Sequence, residues 1–308
     1  MNPGVSTALS TLLVFACLYS AGCGRAGSDT HLPLREVRPW AVPLAGRALP
    51  APRAMANGPD DMILSIDTLG RILVLGADGS LVTSWMMPET EVGRPEAIRL
   101  LRDGRIVVAD THYHRLVFFS TEGKLLGMQG TKGTGDGQFI YPVALAEDAA
   151  GNLYVAEYGS NDRIQKFAPD GTHALSFGSF GTGTEQFQRP SGLVWHNDRV
   201  YVADAINNRI QVFSDAGHYI TTLGTTPGDA VLRYPYDMAL TPEHNLAIVE
   251  YTAGRVTLMT PEGRRLGHYG STGPGPGQLR TPWGLTVTPT GHIIVADTGN
   301  RRFMEFVP

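Results

Sequence analysis

The 308-residue sequence predicts an all-β fold assembled from a repeated four-stranded unit. A phrase in which a short apolar run ends in an acid, followed by a small loop and an arginine, recurs along the chain, as in "RVYVADAINNRIQVF". The apolar runs are rich in Val, Ile, Leu, Tyr and Phe, which suit pleated sheets, and no stretch keeps a helical periodicity. The 37 glycines and 21 prolines are typical of a chain with many turns.

The spacing of the repeat is nearly constant. The acids that end the apolar runs recur every 46 or 47 residues, at Asp110, Glu157, Asp204, Glu250 and Asp297. The prolines that precede them recur every 45 to 48 residues, at Pro95, Pro142, Pro190, Pro235 and Pro282. A more divergent copy with Pro52 and Asp67 lies upstream and brings the count to six. Periods of this length with four short strands are the signature of β-propellers.

Each unit divides into strands in the same order. In the fourth unit the strands are "PSGLVW", "RVYVAD", "RIQVF" and "HYITTL", joined by turns that carry Asp, Asn and Gly. The sequence therefore predicts a six-bladed β-propeller of four-stranded antiparallel blades over residues 33–308. The predicted blades span about 48–92, 93–139, 140–187, 188–232, 233–279 and 280–308.

The last unit ends at its third strand, "FMEFVP", and lacks a fourth. An incomplete blade would expose a row of unpaired backbone groups. We therefore expect an N-terminal strand within residues 33–44, "PLREVRPWAVPL", to close the last blade. Pro39 is tolerable there because the outermost strand can turn a missing donor toward water.

The N-terminal segment predicts export. "STALSTLLVFACLYSAGC" is apolar, short and ends in small residues, so residues 1–22 are interpreted as a signal peptide. "SAGC" resembles the lipobox of bacterial lipoproteins, which implies lipidation of Cys23, a tether over 23–32 and a membrane contact through the anchor. We expect an exported protein of the cell envelope, anchored in the outer membrane and facing periplasm or surface. The alternative is a plain signal peptide cleaved nearby.

The repeat itself points to a family. The pattern P-x-G-L followed by I-x-V-A-D-T-G-N-x-R, carried most fully by "TPWGLTVTPTGHIIVADTGNRRFMEF", resembles the NHL repeat over about residues 48–308. The resemblance implies a six-bladed propeller. It does not imply one function, because NHL propellers serve many purposes.

An arginine follows each acid by four to six residues, at Arg71, Arg115, Arg163, Arg209, Arg255 and Arg302. We interpret each acid and arginine as a pair that fixes its own loop or bridges neighbouring blades. The alternative is a ring of acids that binds cations.

Residues beside the repeat prolines are predicted to gather at the mouth of the central channel, where the first strands begin. They are Arg53, Arg94, Tyr141, Arg189, Arg233, Tyr234, Tyr236, Arg280 and Trp283. Five arginines mixed with aromatic rings favour a funnel that binds an anionic group, because guanidinium is a planar donor fork for carboxylate or phosphate. The alternative is internal neutralisation of these arginines by Glu96 and Asp237.

Enzymatic function is the second hypothesis. The resemblance extends to peptide-amidating lyases, which hold zinc on three channel histidines, but the residues after the six prolines include no histidine. His112 and His114 share one loop without a third ligand, and Glu96, Asp237 and Asn57 match a lactonase-like metal set only in residue type. We therefore predict no metal, no cofactor and no catalytic residue.

The prediction is an exported binding or assembly scaffold rather than an enzyme, whose partner is a protein or an anionic small molecule or glycan. The alternative is a channel-site metal-dependent lyase or hydrolase. The net charge of −4 argues against nucleic acid, which a basic face would bind, and we expect a monomer.

Overall fold

A computed structural model describes Met1, residues 30–225 and residues 231–308. The predicted signal peptide and Cys23 lie outside the described residues. Six four-stranded antiparallel sheets account for the described fold, which confirms the predicted six-bladed propeller. In the first three blades the strands are β2 (Pro52–Asn57), β3 (Ile63–Asp67), β4 (Arg71–Leu75) and β5 (Leu81–Met86); β6 (Ala97–Leu100), β7 (Ile106–Asp110), β8 (Arg115–Phe119) and β9 (Leu125–Gln129); and β10 (Tyr141–Glu147), β11 (Leu153–Tyr158), β12 (Arg163–Phe167) and β13 (His173–Phe177).

The other three blades repeat the arrangement. Their strands are β16 (Pro190–His196), β17 (Arg199–Asp204), β18 (Arg209–Ser214) and β19 (Tyr219–Leu223); β20 (Pro235–Leu240), β21 (Leu246–Glu250), β22 (Arg255–Met259) and β23 (Arg265–Tyr269); and β26 (Gly284–Val287), β27 (Ile293–Asp297), β28 (Arg302–Val307) and β1 (Glu36–Ala41). Short parallel pairs stand in two interblade connectors, β14 (Ser179–Phe180) with β15 (Gln186–Phe187) and β24 (Ser271–Thr272) with β25 (Gln278–Leu279).

Helices are a minor part of the described residues. Short 3-10 turns cover Pro59–Asp61, Thr111–Tyr113 and Thr298–Asn300. In the described ranges no helix combines the length and the apolar character needed to cross a bilayer.

The N-terminal strand closes the ring, as the sequence predicts. β1 pairs antiparallel with β28, from Glu36 opposite Val307 to Ala41 opposite Arg302, and completes the sixth blade as its outermost strand. Trp40 is buried and lies on Gly79 of the first blade, where an added Cβ would stand 2.6 Å from the indole. Gly79 has a φ of +80°, so this turn needs glycine both for its backbone and for contact with Trp40.

The inner strands β2, β6, β10, β16, β20 and β26 contact one another in that order and back to β2. This closed ring surrounds the central channel. The hydrophobic core lies between adjacent blades; one cluster, for example, joins Ile66 and Val74 of the first blade to Val108 and Val117 of the second. Such packing fixes the radial position of every inner strand, and therefore of every residue at the channel mouth.

Each repeat acid is buried and binds the arginine of its own repeat. The six Nε–carboxylate distances lie between 2.7 and 2.9 Å. The remaining guanidinium nitrogens extend the link in several blades: Arg209 Nη2, for example, donates to the carbonyls of Gly183 and Gln186 in the preceding connector. The pairs therefore fix loops and join blades, in agreement with the structural interpretation of the repeat.

Candidate functional site at the channel mouth

Two arginines and one carboxylate from three different blades meet at the channel mouth. Arg53 Nη2 lies 3.2 Å from Glu96 Oε1, and Arg189 Nη2 lies 3.1 Å from Glu96 Oε2. Arg189 Nη2 also donates to the Tyr236 hydroxyl at 2.7 Å, and that hydroxyl donates to Glu96 at 3.2 Å. We call Arg53, Glu96, Arg189, Tyr236 and Trp283 the mouth cluster.

The repeat proline explains how these residues meet. Arg53, Glu96, Tyr236 and Trp283 each follow a repeat proline that lies at, or two residues before, the start of an inner strand. Arg189 directly precedes such a proline. Arg189 has a φ of +61°, a left-handed conformation that a non-glycine residue rarely adopts. A register shift follows the proline in several blades, between Pro190 and Gly192 for example, so side chains here depart from the regular alternation of a strand.

Aromatic rings form the walls of the mouth cluster. The Arg53 guanidinium stands 4.0 Å from the ring centroid of Trp283, and the Arg189 guanidinium stands 4.5 Å from that of Tyr158. Tyr236 and Trp283 lie 5.3 Å apart between centroids. Guanidinium groups on aromatic faces keep their positive charge while losing water, which prepares them for a planar anion.

The mouth cluster carries an excess of positive charge. Two guanidinium groups share the Glu96 carboxylate, whose side chain is 4% exposed, against 11% for Arg53 and 21% for Arg189. Burial lowers the pKa of Arg53 despite the carboxylate beside it. The Nε atoms of both arginines are buried without a hydrogen-bond acceptor among the described residues. Glu96 therefore neutralises the pair only in part.

The structure does not bring the other predicted mouth residues into this cluster. Arg94 donates to the carbonyls of Thr68, Thr90 and Gly93 and so fixes its own connector. Arg233 and Arg280 have exposed side chains on the rim, while their backbone N–H groups bind the repeat acids Glu250 and Asp297.

Tyr141 and Tyr234 border the cluster through aromatic contacts. Tyr141 lies against Tyr158, at 5.2 Å between centroids, and Tyr234 lies against Tyr236, at 6.1 Å. Sequence reasoning missed Tyr158, although its place directly after the repeat acid Glu157 is a usable signal. Tyr158 is the last residue of β11 and pairs with Tyr141 at the start of the inner strand β10 of the same blade.

The candidate metal ligands are separated or already engaged. In the described ranges no group of three or more His, Cys, Asp or Glu side chains could hold a metal ion. His112 and His114 contact Tyr141 and backbone carbonyls. Asn57 bonds to Val287 and Thr286, so it and Glu96 are committed to different partners.

Family comparison agrees with this architecture. The NHL repeat family matches residues 187–213 and 279–303, the strands before and after the repeat acids of the fourth and sixth blades. The chain is a six-bladed propeller of NHL repeats. Human NHL repeat-containing protein 3 is 29% identical over 196 residues, which are 59% of this chain and 56% of the human protein.

Two enzymes are also similar to this NHL propeller. Rat peptidylglycine alpha-amidating monooxygenase is 32% identical over 39% of this chain and 13% of its own length. The structure of virginiamycin B lyase from Staphylococcus aureus superposes with a TM-score of 0.62 over 89% of this chain and 99% of the lyase. The sequences of this pair are 14% identical, so the likeness shows the fold alone.

Proposed function

We propose that this NHL propeller is a binding scaffold whose channel mouth recognises an anionic group, a carboxylate or a phosphate, on a protein, glycan or small-molecule partner. The observation that carries the proposal is the sharing of Glu96 by Arg53 and Arg189. One carboxylate between two guanidinium groups leaves about one unit of positive charge in a partly dehydrated site. An anion that enters the mouth would supply the missing charge.

The surroundings favour recognition of a partner. Each of the six repeat acids forms an ion pair with the arginine of its own repeat, so these acids do not pair with the arginines of the mouth cluster. Arg233 and Arg280 add exposed positive charge on the rim. Tyr and Trp side chains together with Arg are the residues that dominate binding energy at interfaces.

The test measures binding of an acidic peptide and of an acidic oligosaccharide to the purified chain by calorimetry. The double variant Arg53→Met/Arg189→Met removes both charges and keeps most of the side-chain volume. We expect binding to weaken by about tenfold or more, because a hydrogen bond to a charged group contributes about 1.5–3 kcal/mol. Binding of the unmodified chain should also weaken with added salt.

A matched control removes two positive charges away from the mouth, in the double variant Arg105→Met/Lys124→Met. This variant keeps the mouth cluster and should bind both probes as the unmodified chain does. Equal affinity of the two double variants for the same probe would refute the proposal.

A lyase or hydrolase that works in the channel is the second candidate. The local sequence similarity to amidating monooxygenase is the observation that favours it. Stoichiometric zinc or calcium in the purified protein, together with loss of a lyase activity on chelation and its return on reloading, would support this candidate over the scaffold.

We further propose that the protein is exported and held in the cell envelope through a lipidated Cys23. The support is the apolar N-terminal stretch that ends in "SAGC". In this arrangement the mouth would meet partners of the envelope.

A further inference from the structure

A cavity of about 280 Å³ occupies the central channel and begins at the mouth cluster, of which Glu96, Tyr236 and Trp283 form part of the wall. Its wall includes residues of all six inner strands, among them Asn57, Arg99, Trp195 and Asp237. One water accounts for about 30 Å³ of liquid, so the cavity has room for a molecule of several non-hydrogen atoms. Two charged residues of this wall, Arg99 and Asp237, take no part in the contacts of the mouth cluster described above.

Arg99 is a cation without a direct partner. It makes no hydrogen bond or ion pair with the described residues, and no carboxylate oxygen among them lies within 4.0 Å of its guanidinium. Its Nε is buried without an acceptor. Burial lowers the pKa of Arg99, and Glu147 and Asp237 act on it only from a distance. A buried polar group without a partner carries a free-energy penalty, which a bound acceptor would remove.

The register of the inner strands isolates this charge. Arg99 pairs with Val107, the third residue before the repeat acid Asp110. The residues in the same register on the other inner strands are Ala56, Ala146, Val194, Ala239 and Thr286. Arg99 is therefore the one charged side chain at its level, and its counterparts are small or apolar, which leaves space beside the guanidinium.

Asp237 stands on the opposite wall. Its blade is the third from that of Arg99 in a ring of six. Asp237 pairs with Val249, so it lies two residues nearer the mouth than Arg99, about 7 Å along a strand. Its oxygens accept hydrogen bonds from the backbone N–H groups of Met238, at 2.8 Å, and Leu285, at 3.1 Å. Each carboxylate oxygen keeps capacity for a further donor.

We propose that the channel interior is a second ligand site, in which Arg99 binds the carboxylate of a small organic acid and Asp237 accepts a hydrogen bond from a hydroxyl or amino group of the same molecule. A guanidinium and a carboxylate on opposite walls, at different depths, match a ligand with an acceptor at one end and a donor at the other. The indole of Trp195 provides an apolar wall. The site adjoins the mouth cluster, because Glu96, Tyr236 and Trp283 also line the cavity, but it uses Arg99 and Asp237 and does not rest on the function proposed for the mouth.

The test uses glycolate and acetate, which differ in one hydroxyl group, as probes of the full chain at constant ionic strength and pH. Calorimetry should show binding of both, with glycolate several-fold tighter because its hydroxyl reaches Asp237. Arg99→Met should weaken both by about tenfold or more. Ala239→Leu keeps Arg99 but fills the space beside it, and should also weaken the binding of glycolate and acetate. This variant tests the proposal if Arg99→Met does not fold.

The control variants separate the two sites. Arg105→Met, which alters a half-exposed arginine outside both sites, should keep glycolate binding. The mouth variant Arg53→Met/Arg189→Met is measured beside Arg99→Met to compare the two sites. The channel-site proposal is overturned if the unmodified chain binds neither acid at concentrations of about 10 mM. It is also overturned if Arg99→Met binds both acids as tightly as the unmodified chain. Loss of glycolate binding in the mouth variant with retention in Arg99→Met would assign the anion to the mouth, which supports the proposed function and refutes this inference.

Discussion

Arg189 reaches Glu96 across the channel mouth, at 3.1 Å, although 93 residues separate them in sequence and another blade stands between theirs. The contact joins the fourth blade to the second, and Arg53 brings the first blade to the same carboxylate. The mouth cluster is therefore a candidate binding site, and its ion pairs also join three blades across the ring.

Glu96→Gln should leave two guanidinium groups without their shared carboxylate. We expect a loss of about 3 kcal/mol in the free energy of unfolding, because removal of one partner leaves buried charge uncompensated. Urea denaturation measures it. Inorganic phosphate should restore part of the loss in a concentration-dependent way, because it replaces the missing negative charge. Glu122→Gln, an exposed control, should show neither effect, and a Glu96→Gln variant as stable as this control would contradict the prediction.

Asp204→Asn should disrupt one repeat pair. Asp204 is buried, binds Arg209 Nε at 2.8 Å and accepts the Gln188 N–H at 2.7 Å. We expect a loss of about 3 kcal/mol, since the partly buried guanidinium and the backbone donor lose their charged acceptor. Thermal or urea unfolding measures it, with Asp215→Asn in an exposed turn as the control. A loss no larger than that of the control would show that the pairs contribute little to stability.

The stability of the protein should depend on pH through Asp237. Burial raises the pKa of Asp237 to about 7. A carboxyl with a raised pKa in the folded state favours folding while protonated, so its contribution is complete below about pH 4 and is lost as the pH rises toward 7. The free energy of unfolding, relative to that of Asp237→Asn, should fall across this window by at most about 1.4 kcal/mol per pH unit.

The measurement for Asp237 is urea denaturation of both proteins at intervals between pH 4 and pH 8. Asp198→Asn, in an exposed turn, is the control for the loss of a carboxylate that is not buried. A difference between the unmodified chain and Asp237→Asn that stays flat or grows with pH would be inconsistent with the raised pKa.

The N-terminal strand should be needed to close the ring. A chain that starts at residue 46 leaves the edge of β28 unpaired and should melt at a lower temperature and associate through that edge. A chain that starts at residue 33 keeps β1 and is the control. Trp40→Ala should cost about 3–5 kcal/mol, because it removes a buried indole. Equal melting temperatures for the two shortened chains would show that β1 is dispensable.

Cys23→Ala should release the protein from membranes if the proposed anchor exists. Metabolic labelling with palmitate in a bacterial host, followed by fractionation, should find the unmodified protein labelled in the membrane fraction and the variant unlabelled. Cys17→Ala is the matched control and should behave as the unmodified protein. Membrane retention of Cys23→Ala without label would rule out lipidation at this residue.

Much of the fold followed from the sequence because the repeat is local. The period of the acids and prolines, the turn glycines and the missing last strand predicted six blades and their closure by an N-terminal strand. Within a unit the strand pairing is set by short turns, and the closure was predicted because the last unit lacks its fourth strand. The site was harder to predict, because the mouth cluster joins residues of five blades.

Sequence alone established that arginines and aromatic rings stand beside the inner-strand prolines, and that each repeat acid has an arginine within reach. The tertiary structure decided which of them meet: Arg53, Arg189, Tyr236 and Trp283 surround Glu96, whereas Arg94 binds its own connector and Arg233 and Arg280 remain on the rim. It also placed Arg99 on the channel wall without a hydrogen-bond partner among the described residues. The physical reason is that a propeller brings distant strands together around one axis, so contacts across the channel depend on side-chain length and rotation, which no pattern along the chain specifies.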